Sequence, residues 1–201
     1  MSLFLLKNPH VVHIHIPKTG GSSIRRGLWQ GNYEGPKFGE LPQEWSSYLR
    51  FACVRHPFDR FVSAFYDFKQ LRGYEGSIEE FASVAMDESV PWVRVGSGVS
   101  RENIRHHTAP MTAPEHMLHK ADFVKRYETY MQDLQCLLDA ISAEGKIDRD
   151  SCPRLRITQH RTWETELSDS LRNELADFYK NDFETLNYSP IAGETCDEYT
   201  D

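Results

Sequence analysis

The chain has 201 residues, of which 39% are hydrophobic and 26% charged, and it carries a net charge of −7. That balance argues for a folded domain over a disordered chain, and the negative charge argues against wholesale binding to nucleic acid. No apolar run approaches the roughly 18 residues that span a bilayer, and Leu3 to Leu6 is too short for a secretory signal and lacks a cleavage pattern after it.

The expectation is a single domain over residues 1–190 and a polar, flexible tail over 191–201. The opening Met-Ser-Leu reads either as native or as an expression scar. Cys53, Cys136, Cys152 and Cys196 have no metal-type spacing, so they read as free thiols in a reducing cytoplasm. Charge is unevenly spread. Residues 1–72 hold ten Lys and Arg against five Asp and Glu, and the remainder holds thirteen against twenty-five. A basic N-terminal part inside an acidic chain suggests a local anion site, with chance clustering as the plain alternative.

In chain order, residues 10–16 read as a strand with Val12, Ile14 and Ile16 on one face and Val11, His13 and His15 on the other. Pro17 to Gly21 is a turn, and Ser22 or Ser23 caps a helix running to about Trp29. Residues 31–43 contain three glycines and two prolines and read as a loop. Tyr48 to Val54 is an apolar run of strand length. From Pro57, the residues Phe58, Phe61, Val62, Phe65 and Phe68 follow a helical spacing, and a smaller helix covers Ile78 to Met86. Residues 88–119, with three prolines and four histidines, have no clear period. Ala121 to Tyr127 reads as a strand. A helix follows with Met131, Leu134, Leu138 and Ile141 on one face, then a polar break over 143–153. Ser168 caps a last helix with Leu171, Leu175, Phe178 and Tyr179 inward. Strand–turn–helix followed by strand–helix predicts a P-loop-like α/β fold, a three-layer α/β/α arrangement around a mostly parallel sheet.

The first chemical motif is HIPKTGGSS, His15 to Ser23. Gly20 and Gly21 allow a tight turn with no side chain between amide and ligand, so the amides of Gly20 to Ser23 can nest a phosphate. Lys18 supplies a positive charge, and Thr19, Ser22 and Ser23 supply hydroxyls. An ATP loop would place Lys and Ser or Thr after the last glycine, in the order GxxxxGK. Here Lys18 comes before the glycines, so the loop suits a phosphate-like group whose transfer needs no metal. The second motif is VRHPFDRFVSAFYDF, Val54 to Phe68. Arg55 stands at a strand end where its guanidinium can grip a phosphate. Arg60, Ser63 and Asp67 share a helix face, with an Arg60–Asp59 or Arg60–Asp67 surface pair as the plain reading of Arg60. Both motifs follow predicted strands and therefore fall on one sheet edge, where α/β ligands bind.

Two phosphate sites without an evident metal site suit 3′-phosphoadenosine 5′-phosphosulfate (PAPS), and the sequence resembles the PAPS-dependent sulfotransferases. It is most similar to the carbohydrate branch that includes heparan and chondroitin enzymes and short bacterial members. HIPKTGGSS resembles that branch's 5′-phosphosulfate loop, and VRHPFDRFVSAFY resembles its 3′-phosphate motif. HHTAPMTAPEHML, DFVKRYETYMQDL and LADFYKNDFETLNY are weaker likenesses in the family's order, so the resemblance covers roughly residues 10–190. It implies sulfuryl transfer to a saccharide or other small-molecule acceptor, with no metal. Lys18 would stabilise the leaving phosphate. Thr19, Gly20, Gly21, Ser22 and Ser23 would hold the 5′ end, and Arg55 and Ser63 the 3′-phosphate. Arg161, with His160, falls where relatives have a second cofactor-facing loop, although a salt bridge to Glu164 or Glu166 explains it equally.

Relatives carry a base histidine in a segment like GHLP, where this chain reads FGELP. Glu40 stands at that place and is the first candidate base, with His106 and His107 as alternatives. His116 and His119 lack a further ligand at metal spacing, and His13 and His15 read as packing residues. A P-loop phosphotransferase and an inactive nucleotide-binding protein are the competing functions. Acceptor identity and oligomeric state are not legible.

Overall fold

The computed structural model describes residues 2–7, 10–92, 96, 98–129 and 159–192. The expected helix around Met131 to Ile141, the break over 143–153, and Cys136, Cys152 and Cys196 lie outside the described residues. The chain forms two compact units, Met1–Arg55 with Ala113–Ile157 and His56–Thr112 with Thr158–Asp201.

The first unit is built on a five-stranded sheet. Its strands are β1 (Ser2–Leu6), β2 (Val11–His15), β3 (Tyr33–Lys37), β4 (Arg50–Val54) and β5 (Phe123–Arg126), in the spatial order β3-β1-β2-β4-β5. β2, β4 and β5 pair in parallel, while β1 opposes both β2 and β3. Four strands therefore point the same way and β1 alone runs against them, giving a mostly parallel sheet in an α/β fold. β1 and most of β2 and β4 are buried along their length, as central strands require. Ser2 and Leu3 belong to β1.

β3 overturns the loop expected over 31–43. Its residues are mostly exposed, and it contains Gly35 and Pro36, which usually signal a break. Pairing with β1 makes it a strand all the same. Gly35 lies at φ +119°, and an added Cβ would meet the Leu3 carbonyl at 2.7 Å, so only glycine allows this approach. The core beneath the sheet gathers Phe4, Leu6, Val11, Phe51 and Cys53 with Ile24 and Trp29, and Tyr33, Phe123 and Tyr127 pack against its margin. Each large apolar side chain buried there contributes about 1.5–3 kcal/mol. Cys53 is buried and forms no disulfide. Arg50 clamps β4 to β5 through bonds of 2.9 and 2.6 Å to the Asp122 carboxylate.

The second unit is helical: α1 (Pro57–Leu71), α2 (Ile78–Met86), α3 (Arg101–Thr108), α4 (Trp163–Glu166), α5 (Asp169–Phe178) and α6 (Lys180–Thr185). Phe61, Phe65 and Phe68 of α1 meet Phe81 of α2 at ring separations of 5.7, 5.5 and 5.4 Å. Ser77 and Glu80 close a reciprocal cap on α2, and Ser168 caps α5 through Leu171 N. α3 corrects the irregular segment expected over 88–119. Ser100 caps it, and its far end is held by Arg60, which is fully buried and donates to the carbonyls of His107, Thr108 and Ala109. The expected surface pairing of Arg60 is thus replaced by a buried C-terminal cap, and Asp67 pairs with Arg72 instead. Among the described residues, no helix is long and apolar enough to cross a membrane.

Candidate active site

Register fixes where the chemistry collects. Lys37 of β3 faces Leu3, which faces Ile14 of β2, which faces Ala52 of β4, and Val54 faces Arg126 of β5. The four co-directional strands therefore end on one edge of the sheet. Glu40 follows β3, the Lys18 loop follows β2, Arg55 follows β4 and Tyr127 follows β5. Strand ends lie about 5 Å apart per neighbour, so Lys18 and Arg55 emerge side by side, and β1 separates the Glu40 strand from the Lys18 strand.

The loop after β2 is tightly braced. Lys18 adopts a left-handed conformation, φ +70°, which costs a non-glycine residue about 1–2 kcal/mol and is tolerated mainly at functional sites. Thr19 is fully buried, and its hydroxyl donates to the Ile16 carbonyl at 2.9 Å, so it braces the turn from within. The Gly20 carbonyl accepts from the amides of Ser23 (2.9 Å) and Ile24 (3.2 Å). The Ser23 amide, expected to face an anion, is therefore engaged by the loop itself. The amides of Gly20, Gly21 and Ser22 lie in the first turn, where a helix has no acceptor of its own to offer.

The helix that follows is wide. Ser23–Leu28 is π-helical, with Trp29 N bonded to Ile24 O at 3.0 Å. Ser22 is itself helical and makes no side-chain cap, contrary to expectation, so the backbone turn through Gly20 starts the helix. Gly21 packs against the sheet: a Cβ there would come within 2.5 Å of His15 Cε1 and 2.7 Å of Arg25 Nη1. Arg25 lies over the Phe4 ring at 4.0 Å, and His13 is fully buried and stacked on Phe51 at 4.9 Å. Burial and the nearby Arg25 hold the His13 pKa well below the ordinary histidine value.

Arg55 is half-buried beside this loop. Its Nη1 reaches the Lys18 carbonyl at 3.5 Å, its guanidinium lies 4.4 Å from the Tyr127 ring centre, and its Nε is buried with no hydrogen-bond partner. No carboxylate pairs with it among the described residues. Tyr127 was not singled out by sequence reasoning. The signal available was an aromatic residue closing ADFVKRY at the end of a predicted strand. Glu40 is exposed on the segment after β3.

The remaining expected residues lie in the second unit. Ser63 is buried on α1. Further along that helix, Tyr66 stacks on His160 at 5.5 Å and donates to Glu166 at 2.6 Å, and Gln70 donates to the Gln159 carbonyl at 2.7 Å. The segment carrying the exposed Arg161 is thus docked on the helix that carries Ser63. Burial and Glu166 push the Tyr66 pKa up to about 12. Arg161 forms no ion pair with Glu164 or Glu166 among the described residues.

His107 lies on α3, where its Nδ1 bonds to the Asn103 carbonyl at 2.8 Å and its Nε2 to Arg72 Nη2 at 2.9 Å. Nδ1 therefore carries the proton and Nε2 accepts from the guanidinium, so the lone pair a base needs is engaged. Desolvation and Arg72 hold the His107 pKa well below its ordinary value. His106 is buried beside it. Among the described residues, no group of three or more His, Cys, Asp or Glu is arranged to hold a metal ion.

An arginine with a buried, unbonded Nε and no counterion among the described residues, next to a strained lysine turn at the end of a parallel sheet, is an arrangement that receives an anion. In comparison with known proteins, the model described as the sulfotransferase family matches residues 2–189. No match was found among curated proteins or among solved structures.

Proposed function

Because this chain belongs to the sulfotransferase family, we propose that it moves a sulfuryl group from PAPS to an acceptor hydroxyl on a saccharide or glycoconjugate. The observation that carries this reading is Arg55. Its guanidinium is held at the sheet edge against the Lys18 turn, with its Nε buried and unbonded. A cation so placed gains from a bound phosphate what no described side chain of its own unit supplies.

The donor supplies an activated sulfuryl group. Its sulfur–phosphate oxygen bond breaks, a bond to the acceptor oxygen forms, and the electron pair leaves on 3′,5′-bisphosphoadenosine. The chain's residues supply position and charge. In this reading Lys18 neutralises charge growing on the leaving oxygen, and the amides of Gly20, Gly21 and Ser22 hold the 5′ end with the Ser22 and Ser23 hydroxyls. Thr19 keeps the turn in shape. Arg55 binds the 3′-phosphate, and the roles of Ser63 and Arg161 toward the nucleotide stand on the family resemblance of their motifs. Glu40 takes the acceptor proton, because it is exposed at the same sheet edge whereas both ring nitrogens of His107 are engaged. A sulfuryl group carries less charge than a phosphoryl group, so lysine and arginine suffice and no metal is required.

The test is an equilibrium titration in metal-free buffer. The expected result is micromolar binding of 3′,5′-bisphosphoadenosine and much weaker binding of ATP with magnesium. Tighter binding of ATP-magnesium would overturn the reading in favour of phosphoryl transfer.

A further inference from the structure

We propose that Tyr127 is a positioning residue that sets the orientation of the Arg55 guanidinium toward the donor's phosphate. The inference rests on the donor reading above. Tyr127 N donates to the Val54 carbonyl at 2.8 Å, which carries the β4–β5 pairing one step past Val54 and Arg126 and brings Tyr127 beside Arg55. The ring packs against the margin of the sheet core, so its plane is fixed from behind. The Arg55 guanidinium lies over the ring, 4.4 Å from its centre.

Hydrogen bonds do not orient Arg55. Among the described residues its one polar contact is the 3.5 Å approach to the Lys18 carbonyl, at the limit of a hydrogen bond, and its Nε has no partner. Arg60, the other arginine of the same motif, is the contrast. It is fully buried and donates to three backbone carbonyls, so it serves as structure. With the ring under its Cζ, the guanidinium is covered on that side and its N–H groups are left to reach away from the ring, as a bidentate phosphate contact needs. A β-strand end is also a stiff mount, so the fork is ordered before ligand arrives and loses less entropy on binding.

The experiment measures the dissociation constant of 3′,5′-bisphosphoadenosine by calorimetry for wild type, Tyr127→Phe and Tyr127→Leu, each also in an Arg55→Ala background. Tyr127→Leu is expected to weaken binding about fivefold, and Tyr127→Phe, which keeps the ring face, to stay within about twofold. In the Arg55→Ala background the Tyr127→Leu effect should disappear, a coupling that general destabilisation would not produce. If Tyr127→Leu fails to fold, replacement of Tyr127 by pentafluorophenylalanine keeps the ring's shape, reverses its quadrupole and should weaken binding to a similar degree. Unchanged affinity, or an equal loss with and without Arg55, would overturn the role of Tyr127. Failure of the wild type to bind the nucleotide would instead overturn the donor reading.

Discussion

Replacing Gly21 with alanine puts two opposed effects at one atom. Gly21 lacks a positive φ, so alanine fits its backbone, and helix propensity alone favours alanine by up to about 1 kcal/mol. The added methyl, however, would lie 2.5 Å from His15 Cε1 and 2.7 Å from Arg25 Nη1, where contacts of about 3.5–4.0 Å are comfortable. One side must move by roughly 1 Å. Arg25 has a flexible end, but the His15 ring is wedged against His13 at 5.4 Å and Phe4 at 6.0 Å. Overpacking of this kind costs about 1–3 kcal/mol, which outweighs the helical gain. Gly21→Ala should therefore lower Tm by a few degrees, about 2–4 °C per kcal/mol at this size, and weaken nucleotide binding about fivefold. In a His15→Ala background only the flexible end of Arg25 has to move, and the same substitution should become neutral or stabilising. Thermal melts and calorimetry on the four proteins decide it. An effect of the same sign and size in both backgrounds would refute the argument.

Lys18→Gly and Lys18→Ala should both abolish transfer, yet the glycine variant should be more stable by about 1 kcal/mol because it relieves the left-handed backbone; equal stabilities by urea unfolding would remove the strain, and retained turnover would remove the role. His13 and His107 are both held neutral in the fold, whereas the unfolded chain protonates each near its ordinary pKa of 6.5. The unfolded state then binds more protons below that value, so stability is present above it and is lost as pH falls through it. Between pH ~7.5 and ~5.5 the loss is about 1.4 kcal/mol for each histidine that stays neutral, about 3 kcal/mol together. His13→Leu should halve the loss in urea unfolding measured at both pH values, and an unaltered pH slope would contradict the burial of a neutral ring.

The elements that carry the candidate site could be read in the sequence because they depend on local pattern. β2, β4, α1 and α2 follow from apolar spacing, Pro57 and Ser77, and the Lys18 and Arg55 motifs fall where those strands end. β1 and β3 could not be read, because neither carries its own signal. β3 is exposed and contains glycine and proline; β1 becomes a strand by pairing with β2 and β3, and β3 by pairing with β1. That pairing, and not the FGELP segment itself, brings Glu40 to the shared edge. α3 was hidden among prolines and glycines because its stability comes from Ser100 at one end and the distant Arg60 at the other. Tyr127 escaped notice because its significance is a contact 72 residues away along the chain, at the same separation as the Arg50–Asp122 clamp.

That separation also bears on how such a chain can change. Parallel neighbours such as β4 and β5 need a crossover of at least about a dozen residues, whatever it contains. Extending that minimum to 72 residues adds only about 1.5 kcal/mol of closure entropy, since each doubling costs about 0.6 kcal/mol. The sheet therefore tolerates wide variation in the length and content of the excursion between Arg55 and Tyr127, provided the two strands return to the same register. Insertions and deletions can reshape the crossover while the arginine and its aromatic mount meet unchanged.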